Sequence, residues 1–162
     1  MTVFLLGPGR DEKGTEAPLQ ARREIARRMN ATGMRPLVME DEEDREDENN
    51  FAKFRRLIDE NQPVTFAVLV PLNCRLQGIS VELGHLLTLI HEGRLDAGRV
   101  HLLLQSLLAP LDENGVLALN EPGNRTRYYE DLIDEGCPVH RWADWRELNN
   151  HAVAVALEDD GA

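Results

Sequence analysis

Four short, nearly continuous apolar runs separated by amphipathic stretches predict an α/β fold, a parallel sheet held between two layers of helices. The runs fall at residues 3–6, 37–39, 64–70 and 100–104, lengths that suit strands and are too short for buried helices. No linker or internal repeat divides the 162 residues, so the expectation is one domain, 1–162.

The elements follow in order. The first strand, VFLL, runs directly into Gly7 and Pro8. Leu19, Ile25, Ala26 and Met29 then share one helical face, and Gly33 stands where a helix commonly ends in a left-handed residue. After the second strand, Phe51, Phe54 and Ile58 keep the i, i+3, i+7 spacing of a second helix. The third strand, the longest apolar run, precedes a helix marked by Ile79, Leu83, Leu86, Leu87 and Ile90 and ending near Gly93. The fourth strand is followed by an irregular stretch, residues 106–124, rich in Pro, Asn and Gly, a length at which loops often serve as lids or partner-binding segments. Helices at 127–134 and 145–157 flank a weaker fifth strand at 138–142, whose proline and polar residues suit a sheet edge. Right-handed crossovers and five alternating strands and helices give the flavodoxin-like order 2-1-3-4-5, a three-layer sandwich around a five-stranded parallel sheet.

Composition narrows the function. Asp and Glu number 29 against 18 Lys and Arg, a net charge of −11, which excludes a protein that grips many nucleic-acid phosphates. No apolar run reaches the roughly 18 residues of a membrane span, and the N-terminus lacks a basic region and a small-residue cleavage site. Cys74 and Cys137 form neither a CxxC pair nor a disulfide framework. A cytoplasmic protein is the expectation. Residues 40–48, EDEEDREDE, carry eight acids and one arginine and read as a solvated loop, with a metal-binding or cation-steering rim as the alternative, although no D-x-D-x-D-G spacing is present.

In open α/β sheets ligands bind beyond the carboxyl ends of the strands, where strand order reverses. For this order the crevice lies at the loops after strands one and three. Gly7, Pro8, Gly9 and Arg10 follow strand one; glycine lets backbone approach a ligand, and arginine can clamp a phosphate or carboxylate. The third glycine of a dinucleotide fingerprint is missing, with Glu12 in its place, and Gly14 separates Lys13 from Thr15, so there is no P-loop. A plain turn and a phosphate cradle both fit. Gly78, Ser80 and Glu82 open the third helix, where the helix dipole favours an ionised Glu82. Such a carboxylate can capture or stabilise an oxocarbenium-like sugar cation, or merely complement the dipole. Ser80 is placed to cap the helix, although residue 83 is Leu and no capping box exists. Cys74 with His85 permits a Cys–His hydrolase, against the plainer reading of a small buried thiol. His101 falls on a core strand and reads as a satisfied core histidine.

The two loops carry a resemblance. VFLLGPGR resembles the opening of nucleoside 2-deoxyribosyltransferase-like proteins, especially the nucleotide N-glycoside hydrolases among them, and AVLVPLNCRLQGISVELGHLL resembles their strand followed by a Gly-x-x-x-Glu-Leu-Gly helix start. The resemblance implies that Glu82 is the nucleophile at the anomeric carbon and that Gly7, Pro8, Gly9 and Arg10 contact sugar or phosphate. Two positions depart from the pattern: Gln62, Pro63 and Val64 stand where members commonly carry an aspartate, and Arg75 and Leu76 where transferases often carry an acid. The layout is also similar to TIR domains that cleave NAD.

The expected function is therefore an N-glycosidase, hydrolase or transferase, acting on a nucleotide or nucleoside. Glu82 is its catalytic group; Gly7, Pro8, Gly9, Arg10, Gly78, Ser80, Glu40 and Asp41 bind substrate, the last two with Ser80 through ribose hydroxyls. No metal or organic cofactor is implied. A TIR-like NAD glycohydrolase or cyclase and a non-catalytic nucleotide-binding sensor are the alternatives. The resemblance further implies a homodimer or larger homo-oligomer, with residues 106–124 placed to reach a neighbour, while the acidity and the lack of a long apolar run give the expectation of no nucleic-acid or membrane partner.

Overall fold

A computed structural model describes residues 1–71, 74, 79–105 and 127–161. Gly78 and the long segment 106–124 lie outside the described residues. Five strands, β1 (Thr2–Leu6), β2 (Arg35–Val38), β3 (Thr65–Val70), β4 (Val100–Gln105) and β5 (Val139–Trp142), alternate with α1 (Ala17–Ala31), α2 (Asn50–Asn61), α3 (Ser80–His91), α4 (Arg127–Asp134) and α5 (Trp145–Gly161). The sheet is wholly parallel in the order β2-β1-β3-β4-β5, the flavodoxin-like arrangement that the alternating pattern predicts.

The continuous apolar runs have a direct cause, since side chains alternate across each strand and both faces of the sheet are covered. Phe4, Leu6, Phe66, Val68, Leu102 and Leu104 pack with Phe54 and Leu57 of α2, Leu83 and Leu86 of α3, and Leu132 of α4. Their neighbours Val3, Leu5, Ala67, Leu69 and Leu103 pack on the other face with Leu19, Ile25 and Met29 of α1 and Leu148, Ala152 and Ala156 of α5. Each fully buried side chain of this size contributes about 1.5–3 kcal/mol, and β3, buried at all six positions, anchors the centre.

Helix ends follow local chemistry. Gly33 adopts φ +84° just past α1, as its position predicts. The Asn49 side chain accepts the Ala52 N–H at 2.8 Å and starts α2, while Gln62, left-handed at φ 44°, ends it before Pro63. β5 is an edge strand, and Trp142 at its end is 1% exposed, its indole N–H donating to the Leu103 carbonyl at 2.9 Å. Among the described residues no helix is long and apolar enough to cross a membrane.

The acidic run departs from a purely solvated loop. After a 3-10 turn, Met39–Asp41, it is tied to the cations of α1 and α2. Asp41 pairs with Arg23 at 2.6 Å, Asp44 with Lys53 at 2.7 Å, and Glu48 with Arg56 at 2.7 Å. Lys53 also donates to the Glu42 carbonyl at 2.7 Å and is itself buried. The guanidinium of Arg56 holds the Glu48 carboxyl below its ordinary range. Repulsion within the run is thus offset by neighbours that linear spacing does not reveal.

Candidate active site

The end of β1 passes close over its neighbours, which fixes the first residue of the loop. A Cβ on Gly7 would meet Leu69 Cβ at 3.0 Å and Arg22 Cδ at 3.3 Å, so only glycine fits without displacement. Gly9 has room for a side chain, with Glu40 Oε1 at 3.9 Å as its sole neighbour. Asp11 shapes the remainder of the loop: its carboxylate accepts the backbone N–H groups of Lys13 at 3.0 Å and Thr15 at 2.9 Å.

This loop and the start of α3 converge. Gly7, Pro8, Gly9, Arg10 and Glu82 line one cavity of about 250 Å³, at the carboxyl ends of β1 and β3 where strand order reverses. Leu6 of β1, Arg22 of α1, Glu40 after β2, and Met39, Asn50 and Ile79 complete the wall. Its size lies just under the roughly 300–1,000 Å³ of typical small-molecule sites and suits a compact ligand.

Glu82 is the third residue of α3 and is 3% exposed, and its Oε2 has no hydrogen-bond partner. Burial raises its pKa above the ordinary 4.5; its own backbone N–H opposes the shift, and the nearby Glu40 charge adds to it. The direction of this shift runs against the helix dipole, which favours the ionised form. Burial takes the carboxyl out of water and penalises its charged form. Ser80 does not act as the cap residue: Ile79 holds that position and Ser80 is the first helical residue.

The predicted binding residues divide. Arg10 lies at the cavity mouth with its side chain 68% exposed, donating to the Gly14 carbonyl at 3.3 Å and pairing with Glu16 at 3.6 Å. Glu40 reaches the cavity, but both its oxygens are held by Arg22, at 2.6 and 2.9 Å. Asp41 and Ser80 are outside the lining, and Asp41 faces Arg23 instead.

Arg22, which the sequence reading passed over, is 2% exposed. Its Nη1 donates to the Leu5 carbonyl at 3.5 Å and to Glu40, and its Nη2 to the Pro8 carbonyl at 3.2 Å and to Glu40. The signal was present: Arg22 stands three residues from both Leu19 and Ile25, a cation within the apolar stripe of α1.

Other sequence candidates resolve toward structure. Cys74 is 2% exposed and burial pushes its thiol up to about 11, so it is no thiolate nucleophile at neutral pH. His85 packs edge-on against Phe51 and Phe54, with ring centres at 5.6 and 6.0 Å. His101 is a satisfied core histidine, bonded to His140 and Asp159 at 2.9 Å each. Among the described residues no group of three or more His, Cys, Asp or Glu is placed to hold a metal ion.

No family model matches the chain, and no curated protein matches it.

Proposed function

We propose that the cavity cleaves the N-glycosidic bond of a nucleoside or nucleotide, with Glu82 meeting the sugar cation. The observation that carries this reading is a carboxyl 3% exposed, with one oxygen unpartnered, in the wall of a cavity at the sheet's switch point. A buried polar atom without a partner carries a free-energy cost, which a fold retains most readily where a ligand removes it.

As the C–N bond breaks, its electron pair leaves with the base and positive charge develops on the anomeric carbon. The Glu82 carboxylate lies where little water screens it, so its attraction for that charge exceeds what a solvated carboxylate exerts. It either stabilises the cation until water attacks or forms a transient glycosyl ester that water or a second base then opens. The residues of the β1 loop pack against the sugar, where the absence of a side chain at Gly9 allows close backbone approach, while Gly7 lets the loop lie close on Leu69 and Arg22. Because the reaction needs Glu82 ionised, the acid limb of the rate profile lies above the usual glutamate range.

The assay is release of free base from a panel of nucleosides and nucleotides, with nicotinamide release from NAD as the arm for the TIR-like alternative, each repeated on Glu82→Gln. Binding of the panel without any base release identifies a sensor and removes the catalytic reading.

A further inference from the structure

We propose that Arg22 is the anion seat of this cavity and that Glu40 is its resident occupant, displaced when the phosphate of a ligand binds. The idea rests on the N-glycosidase reading only for the sugar placed beside the seat. It moves the phosphate contact from Arg10, which the sequence favours, to a residue the sequence conceals.

A guanidinium 2% exposed requires an anion, because an unpaired buried charge is strongly unfavourable. Glu40 supplies one, presenting two oxygens to Nη1 and Nη2 at 2.9 and 2.6 Å. Two oxygens of a phosphate meet the same planar fork in the same way. The exchange replaces charge with charge, so Arg22 is never left unpaired.

Glu40 is the member of the pair able to leave. Its side chain is 31% exposed against 2% for Arg22, and it stands at the head of the acidic run. Turning outward places it in water and away from Glu82, whose ionisation it opposes. The volume it vacates lies against Gly9, where the nearest atom to an added Cβ is Glu40 Oε1 itself. Arg22 meanwhile stays fixed by the Leu5 and Pro8 carbonyls, while its Nε lacks a partner. Arg10, tied to Gly14 and Glu16 at the mouth, is placed to meet the ligand's outer oxygens.

The test is calorimetry with ribose 5-phosphate, ribose and inorganic phosphate on the wild type, Glu40→Gln and Arg22→Lys, beside base release from nucleosides. The wild type should bind ribose 5-phosphate about tenfold or more tightly than ribose, the scale of a charge-assisted pair. Glu40→Gln should tighten both phosphate ligands by about tenfold and leave ribose unchanged, since only the internal competitor is removed. Arg22→Lys, a point charge without the fork, should lose most of the preference for phosphate. If Glu40→Gln is too unstable to isolate, Glu40→Asp withdraws the carboxylate by one methylene and should shift phosphate affinity in the same direction. Weaker ribose 5-phosphate binding in the Glu40 variants would overturn the proposal, as would equal wild-type affinity for ribose and ribose 5-phosphate. Base release from nucleosides that depends on Glu82 would still stand in that event. Inorganic phosphate binding as tightly as ribose 5-phosphate would support the seat and count against a sugar beside it.

Discussion

Two carboxylates, Asp159 half-buried and Glu82 buried, stand at opposite ends of the same sheet, and their surroundings differ in kind. At the amino ends of β3 and β4, Asp159 of α5 accepts the Thr65 hydroxyl at 2.6 Å and His101 Nε2 at 2.9 Å, with Arg99 at 3.7 Å. Arg99 also donates to the Asp159 carbonyl at 2.7 Å. At the carboxyl ends, Glu82 has one oxygen with no partner and a like charge nearby. The difference teaches how to separate stability from chemistry. A buried charge met on every side fixes an element in place, whereas one left incomplete stores a demand that a ligand can meet.

The comparison is most easily broken at Glu82. Glu82→Gln should lower turnover by about a thousandfold or more, because it removes the negative charge while keeping shape and reach. Substrate affinity should change far less, since the anomeric carbon carries little charge before the bond breaks. Undiminished base release would make Glu82 a structural residue and end the proposed function. At the other end, Asp159→Ala removes the carboxylate from Thr65, His101 and Arg99 and should cost about 3 kcal/mol, lowering the melting temperature by roughly 6–12 °C, although Arg99 keeps the backbone carbonyl and His101 keeps His140. Calorimetric scanning checks this, and turnover of the folded fraction should be unchanged.

A finer contrast lies in the sign of the stability change. Burial raises the pKa of Glu82 in the folded protein, so ionising it costs more there than in the unfolded chain. That cost appears as pH climbs through the ordinary 4.5 and is complete above the raised folded value. Glu82→Gln should therefore melt higher than the wild type at neutral pH, by about 2–4 °C for each kcal/mol recovered, and the gain should vanish in acid. A variant that instead melts lower at neutral pH would show a carboxylate already satisfied. The smallest effect belongs to His140, whose pKa is lowered by burial and then by the charges of His101 and His151. The folded ring resists a proton that the unfolded ring accepts near 6.5, so stability declines as pH falls through that value. Replacing it with Gln keeps a donor toward His101 and should flatten the melting profile between about pH 7 and 5. An unaltered slope would place the titration elsewhere.

Strand and helix positions were largely legible because the inner apolar runs are buried on both faces and the first three helices each show a single stripe, although β2 starts at Arg35, ahead of its apolar run, and ends before Met39. Gly33 was legible from its place after Met29, and the trace matches. The site was legible only in outline. Gly7, Gly9 and Glu82 do meet, as the switch-point argument requires. The protonation behaviour of Glu82 was not accessible, since a first-turn position is local information and burial is not. Arg22 was hidden for a related reason: its partners Leu5, Pro8 and Glu40 lie 14 to 18 residues away in sequence. Asp159 meets Thr65 across 94 residues, a pairing that no periodicity announces.

The order β2-β1-β3-β4-β5 also bears on how the chain reaches this state. Each strand, once made, adds to an exposed edge of those before it, β2 on one side of β1 and then β3, β4 and β5 successively on the other. No strand must be threaded between two already paired, so the sheet can enlarge in the direction of synthesis. The clasp at Asp159 closes over separations of 58 and 94 residues and ties α5 to β3 and β4. Contacts so distant carry the largest loop-closure entropy and form late. The clasp therefore closes only when β3 and β4 already stand side by side, adding a polar lock to the apolar packing of Leu148, Ala152 and Ala156.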